Sequence, residues 1–257
     1  TAPQGKRSAR TAEGIRIVSG PIEQFEIKPI IALPKVDGVD LSFTNSSLFM
    51  ALGVAVSSVF FIWAMHKKQM IPSKLQSVAE MVYELITGMV SEMIGSEGRK
   101  YVPFIFTIFT FIVMGNLLGL LPYSFTYTSH FAAVGALSVF SILITVVVGL
   151  KKRGLNWFTN FFPHGTPWAI APILIPIEII SFCSKPFSLT VRLTVNMMVG
   201  HIMLKVIAGF IYDLSFWGGW LPLAFIGCLT LFEMMIAVLQ AYIYTILTCV
   251  YLNDALH

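Results

Sequence analysis

Apolar and polar positions along this chain segregate into long blocks. From Ser47 to Met65 an uncharged apolar run of about 19 residues, at about 1.5 Å each, just crosses a hydrocarbon layer of about 30 Å before His66, Lys67 and Lys68 end it. Ser73 to Ser96 reads differently. Lys74, Glu80, Glu84 and Glu92 are interleaved with Leu75, Val78, Met81, Val82, Leu85, Ile86, Met89, Val90 and Met93 at spacings of three and four, which predicts a helix with one apolar and one charged face, lying in the interface or capping a bundle. Val102 to Leu121, broken by Pro122, and Phe131 to Leu150, stopped by Lys151, Lys152 and Arg153, predict two more crossings.

From Trp168 to Tyr212 about 45 residues pass with hardly a loop signal; as one helix they would measure about 65 Å, twice the hydrocarbon core. Such a helix either breaks near Lys185-Pro186 or lies at a tilt beyond the usual range. Asp213 to Trp220, rich in Trp, Tyr and Gly, predicts an interfacial turn, and Leu221 to Leu252 a second over-long helix returning to the first side. Residues 1–45, punctuated by Pro21, Pro29 and Pro34, hold no run long enough to cross. The expected fold is an all-α integral membrane protein. An extramembrane or surface segment, 1–45, precedes a single membrane domain, 46–257. That domain has one N-terminal transmembrane helix, an amphipathic interfacial helix, two further transmembrane helices, and a C-terminal hairpin of two long, steeply tilted helices.

Composition agrees with lipid as the solvent. The chain is 56% hydrophobic and 12% charged with a mean hydropathy of +0.79, where soluble domains have about 45–50% and about 25%. The +4 net charge does not indicate nucleic acid, because the basic residues sit in short clusters at the ends of apolar runs. Lys67/Lys68, Arg99/Lys100 and Lys151 to Arg153 all fall on one side, which the positive-inside rule makes the interior; the turn from Pro122 to His130 falls outside. Cys183, Cys228 and Cys249 lie in apolar stretches without metal-ligand spacing. The start at Thr1, with Lys6, Arg7 and Arg10 ahead of Glu13, fits a cleaved transit peptide and equally a chain that begins late.

The candidate chemistry lies in the last two helices. Glu178, Lys185, Arg192, His201, Lys205 and Glu233, with Asn196 and Gln240, are polar where each ionisable side chain costs about 2.5–3.5 kcal/mol on insertion scales. At 100° per residue, Glu178, Lys185, Arg192 and Asn196 fall within about 60° of one another, while His201 lies half a turn around and about 13 Å beyond Arg192. Glu233, Ala237, Gln240 and Tyr244 share a second stripe. An arginine keeps its proton at any accessible pH and can serve as a fixed positive barrier; histidine and glutamate can pass protons on. Bland readings stand beside these: Lys185 and Lys205 snorkelling to an interface, Glu178 pairing with one of them, and Asn116 as a helix-packing polar residue. His130 and His164, in loops, receive no role. No metal site or cofactor is expected, and no phosphate-binding Gly-rich loop is present.

Pro186-Phe-Ser-Leu-Thr-Val-Arg192-Leu-Thr-Val-Asn196-Met-Met-Val-Gly200-His201 resembles the signature stretch of subunit a of F-type ATP synthases, mitochondrial or alphaproteobacterial type. Leu239-Gln240-Ala241-Tyr242, Thr248-Cys-Val-Tyr251-Leu-Asn-Asp, Asn116-Leu-Leu-Gly-Leu-Leu-Pro122, Gln24-Phe-Glu and Phe43-Thr-Asn-Ser-Ser are similar to its other segments, so the likeness runs from about residue 21 to the end. Thr194-Val195 departs from the family's more usual small or aromatic residues. The resemblance implies a stator subunit of a rotary motor in a mitochondrial or bacterial inner membrane. Its partners are a ring of c subunits, b-type peripheral-stalk subunits, the lipid bilayer and protons, with no nucleic acid and no nucleotide site of its own. It further implies an inlet half-channel of His201, Glu233, Asn196 and Gln240, an outlet half-channel of Glu178 and Tyr251, and Arg192 facing the ring between them. Two rivals, an ion-coupled secondary transporter and a structural membrane scaffold, fit less well: the Arg192 segment has no second, inverted copy, and a scaffold has no use for so many intramembrane charges.

Overall fold

The structure, a computed structural model, describes residues 29–31, 42–66, 69–121, 124–154, 157, 171–213 and 219–256. Most of the N-terminal segment, Lys67, Lys68, Pro122, His164, Trp168 and the middle of the turn before Trp220 lie outside the described residues.

Among the described residues a short antiparallel pair, β1 (Pro29–Ile31) and β2 (Phe43–Thr44), leads into six α-helices. Helix α1 (Asn45–Met65) starts where the Thr44 hydroxyl accepts the Ser47 amide at 3.4 Å, the usual service of an N-cap threonine. It is apolar all round, and Ile62 and Trp63 stay about two-thirds exposed, as a lipid-facing helix requires. Helix α2 (Lys74–Ile94), capped by Ser73, is the amphipathic one: Ile86, Met89, Val90 and Ile94 are buried, and Gly95 at φ 79° closes it. A 3-10 turn (Ser96–Tyr101) connects it to α3 (Val102–Gly119). Helix α4 (Phe131–Arg153) ends in the expected basic turn, with Glu97 ion-paired to Lys152 across the 3-10 turn.

Helix α5 (Ala171–Asp213, 43 residues) and helix α6 (Trp220–Leu256, 37 residues) form the long hairpin. Of the two alternatives for the first of these, a break near Lys185-Pro186 does not occur; Pro176 and Pro186 both lie inside one continuous helix. In lipid a proline inside a helix is tolerated where neighbouring elements re-satisfy the ladder; around Pro186 hydroxyls also bond back to the helix, Thr190 Oγ1 donating to the Pro186 carbonyl at 2.7 Å and Ser184 Oγ to that of Ser181 at 2.7 Å. One core joins α2 to α6, with Ile105, Ile112, Leu193, Met197, Ala237 and Leu252 almost fully enclosed. Within it Tyr244 Oη meets Ser141 Oγ at 3.3 Å and Ser138 Oγ at 3.4 Å, a polar seam between α4 and α6. The 3-10 turn with α3, and the helices α1, α4, α5 and α6, are long and apolar enough to cross a membrane, so the chain is an all-α integral membrane protein.

Candidate functional site

Glu233 anchors the first polar cluster. Its side chain is buried in α6, and both carboxylate oxygens lack a hydrogen bond among the described residues. The space it occupies exists because residue 200 of α5 is glycine: a Cβ there would lie 2.2 Å from Glu233 Oε1. The next residue along α5 is His201, so acid and imidazole come from the same level of the hairpin. One turn further along α6, the fully buried Asn116 of α3 donates from Nδ2 to the Ala237 carbonyl at 2.9 Å and ties α3 to the stripe that carries Glu233. Gln240 is buried on that stripe and Asn196 is half-buried on α5.

The turn between α3 and α4 reaches into this cluster. Its alternation of aromatic and hydroxyl residues looks like a solvated loop, yet Phe125, Thr126, Tyr127, Thr128 and Ser129 are all buried. Ser124 Oγ donates to the Leu118 carbonyl at 2.6 Å, and Tyr127 Oη donates to the Phe111 carbonyl at 2.8 Å over Gly115, where a Cβ would sit 2.4 Å from the phenol. Thr126 Oγ1 lies 3.2 Å from the Gly119 carbonyl and 3.1 Å from His201 Nε2. His130, stacked on Phe125 at 4.7 Å, has its imidazole pushed below the usual range by burial and stays neutral near pH 7. Thr126 is a contact of the candidate residue His201 that sequence reasoning missed.

Arg192 occupies the opposite kind of environment. It is exposed on α5, flanked on the inner side by buried Leu189 and Leu193, and makes no ion pair or hydrogen bond with the described residues. Further toward the start of α5, Lys185 Nζ stands 3.6 Å from Asp254 Oδ2 and 4.7 Å over the Tyr251 ring, so its head group meets the end of α6. Glu178 is half-buried, pairs with neither lysine, and makes no hydrogen bond to Tyr251. The structure thus joins Thr126 to His201, sets Glu233 against the neighbouring Gly200 and ties Asn116 to Ala237 one turn along α6, and it shows no bond between these groups and Arg192 or Glu178 among the described residues. Among the described residues no three His, Cys, Asp or Glu converge on a metal-sized point.

Together these features define a multi-pass membrane protein of the ion-handling class: apolar helices that enclose the Glu233 acid and expose the Arg192 guanidinium, which makes no ion pair among the described residues. Comparison with known proteins narrows the class. The ATP synthase A chain family matches residues 47–253. ATP synthase subunit a of Rhodospirillum rubrum is 52% identical over 237 residues, 92% of this chain and 98% of that protein. ATP synthase subunit a of Paramagnetospirillum magneticum is 47% identical over 246 residues, 93% and 99%. This chain belongs to the ATP synthase subunit a family, proton-translocating membrane-sector subunits that work within the ATP synthase complex, and is a multi-pass inner-membrane protein of alphaproteobacterial kinship.

Proposed function

We propose that residues 46–257 form the stator half of a rotary proton path, with two offset half-channels that load and unload carboxylates on a neighbouring c-subunit ring, and Arg192 between them. In this reading a proton enters from outside past Glu233 and His201, with Asn196 and Gln240 alongside, and neutralises a ring carboxylate. The ring turns almost a full revolution, and the proton leaves to the inside near Glu178 and Tyr251. Nucleotide chemistry belongs to other subunits, and b-type stalk subunits hold the chain still.

The observation that carries the reading is the exposure of Arg192 with no ion pair among the described residues. A permanent cation on an apolar helix needs an anion from elsewhere, and a ring carboxylate about 4 Å away supplies roughly 4 kcal/mol of attraction at an effective dielectric of 20. The same charge repels a proton attempting to cross directly. Helices too long for an upright crossing support the reading too, since they can lie along a rotor's curved flank. The test is Arg192→Ala in the reconstituted complex: ATP-driven pumping and ATP synthesis fall to background while the subunits still co-purify. Normal coupled synthesis by that variant overturns the barrier assignment.

A further inference from the structure

We propose that Thr126, in the turn between α3 and α4, is a positioning residue for proton transfer: its hydroxyl fixes the ring orientation and tautomer of His201. The inference rests on the reading of His201 as a proton carrier and adds a residue from a different part of the chain. Thr126 has one proton and two neighbours, the Gly119 carbonyl at 3.2 Å and His201 Nε2 at 3.1 Å. Both contacts are satisfied together when the hydroxyl donates to the carbonyl and accepts from Nε2–H, because a carbonyl offers only lone pairs. Nε2 is then the protonated nitrogen, so the hydroxyl selects one tautomer and one ring orientation.

The hydroxyl is held firmly enough to do this. Thr126 is buried; its carbonyl accepts Ser129 Oγ at 2.6 Å; and its side chain packs so closely on Gly119 that a Cβ at residue 119 would sit 2.5 Å from Thr126 Oγ1 and Cγ2. Lys205, on the same helix, acts electrostatically on His201, and Glu233 of α6 is set against the adjacent Gly200; Thr126 adds a neutral, oriented acceptor from a third element.

The experiment uses the intact complex in proteoliposomes and follows proton flow against pH for Thr126→Val, Thr126→Ser, His201→Ala and the Thr126→Val/His201→Ala double variant. Valine keeps the threonine shape and removes the hydroxyl. The expected result is flow slowed about fivefold to tenfold in Thr126→Val with a displaced pH profile, near-normal flow in Thr126→Ser, and a double variant no slower than His201→Ala alone. Should the valine variant fail to assemble, Thr126→Ala is read in its place. A wild-type rate and pH profile in an assembled hydroxyl-free variant overturns the proposal, as does a serine variant as slow as valine. If His201→Ala slows flow and Thr126→Val does not, only the Thr126 assignment falls; if His201→Ala itself runs normally, the relay reading falls with it.

Discussion

The two faces of the α5–α6 hairpin treat charge in opposite ways. On the inner face Glu233 is enclosed, its carboxylate facing a glycine and bonded to no described neighbour. On the outer face Arg192 is exposed and makes no ion pair among the described residues. An enclosed acid suits a group that exchanges a proton with a confined path, and an exposed, permanently charged group suits one whose partner arrives from another subunit. The difference is therefore in who supplies the counter-charge, and each substitution below disturbs one side of it.

The largest effect is the complete loss expected from Arg192→Ala, which empties the outer face. Next comes the inner face: Gly200→Val drives a side chain into space held by Glu233, whose Oε1, Cδ and Cγ lie 2.2, 2.9 and 3.3 Å from a Cβ at that position. The obstructing atoms end a side chain, so the fold persists and the carboxyl moves. Passive proton flow should drop about tenfold to a hundredfold with normal subunit content, and unimpaired flow would show that the carboxyl's location is unimportant. Asn116→Ala removes a buried bond to the Ala237 carbonyl and should destabilise the detergent-solubilised complex by about 1 kcal/mol, read as a lower thermal midpoint; no change would mean that α3 and α6 are registered by apolar packing alone. The smallest effect belongs to Lys185→Gln. Its partner Asp254 is more than half exposed, so stability should stay within about 0.5 kcal/mol, and a larger loss would assign the Lys185–Asp254–Tyr251 contact a structural role.

Most of the architecture was legible in the chain because lipid imposes a coarse demand that apolar block length answers directly. The amphipathic α2, both long helices and the basic end of α4 follow from periodicity and block length alone. The continuity of α5 through Pro186 was not legible: proline's effect depends on how the neighbouring helices hold the chain on either side of it, which no local pattern reveals. In the candidate site, the stripe Glu233, Ala237, Gln240 and Tyr244 is the buried face that its spacing predicts. Three relations escaped because they join distant positions: Gly200 making room for Glu233, Thr126 reaching His201, and Asp254 meeting Lys185. The Phe125/Tyr127 alternation with threonines was the available sign that this turn folds inward, and a run of hydroxyl residues masks it.

The uninterrupted length of α5 has a geometric corollary. A rod of 43 residues measures about 65 Å, about twice a hydrocarbon layer of about 30 Å, so if it lies within that layer along its whole length its two ends stand about 58 Å apart in the membrane plane. A single covalent element then sets the sideways spacing between events at the two surfaces. Inserting or deleting a turn in its middle resets that spacing and the rotational phase of every polar group beyond, whereas length changes in the loops leave both untouched.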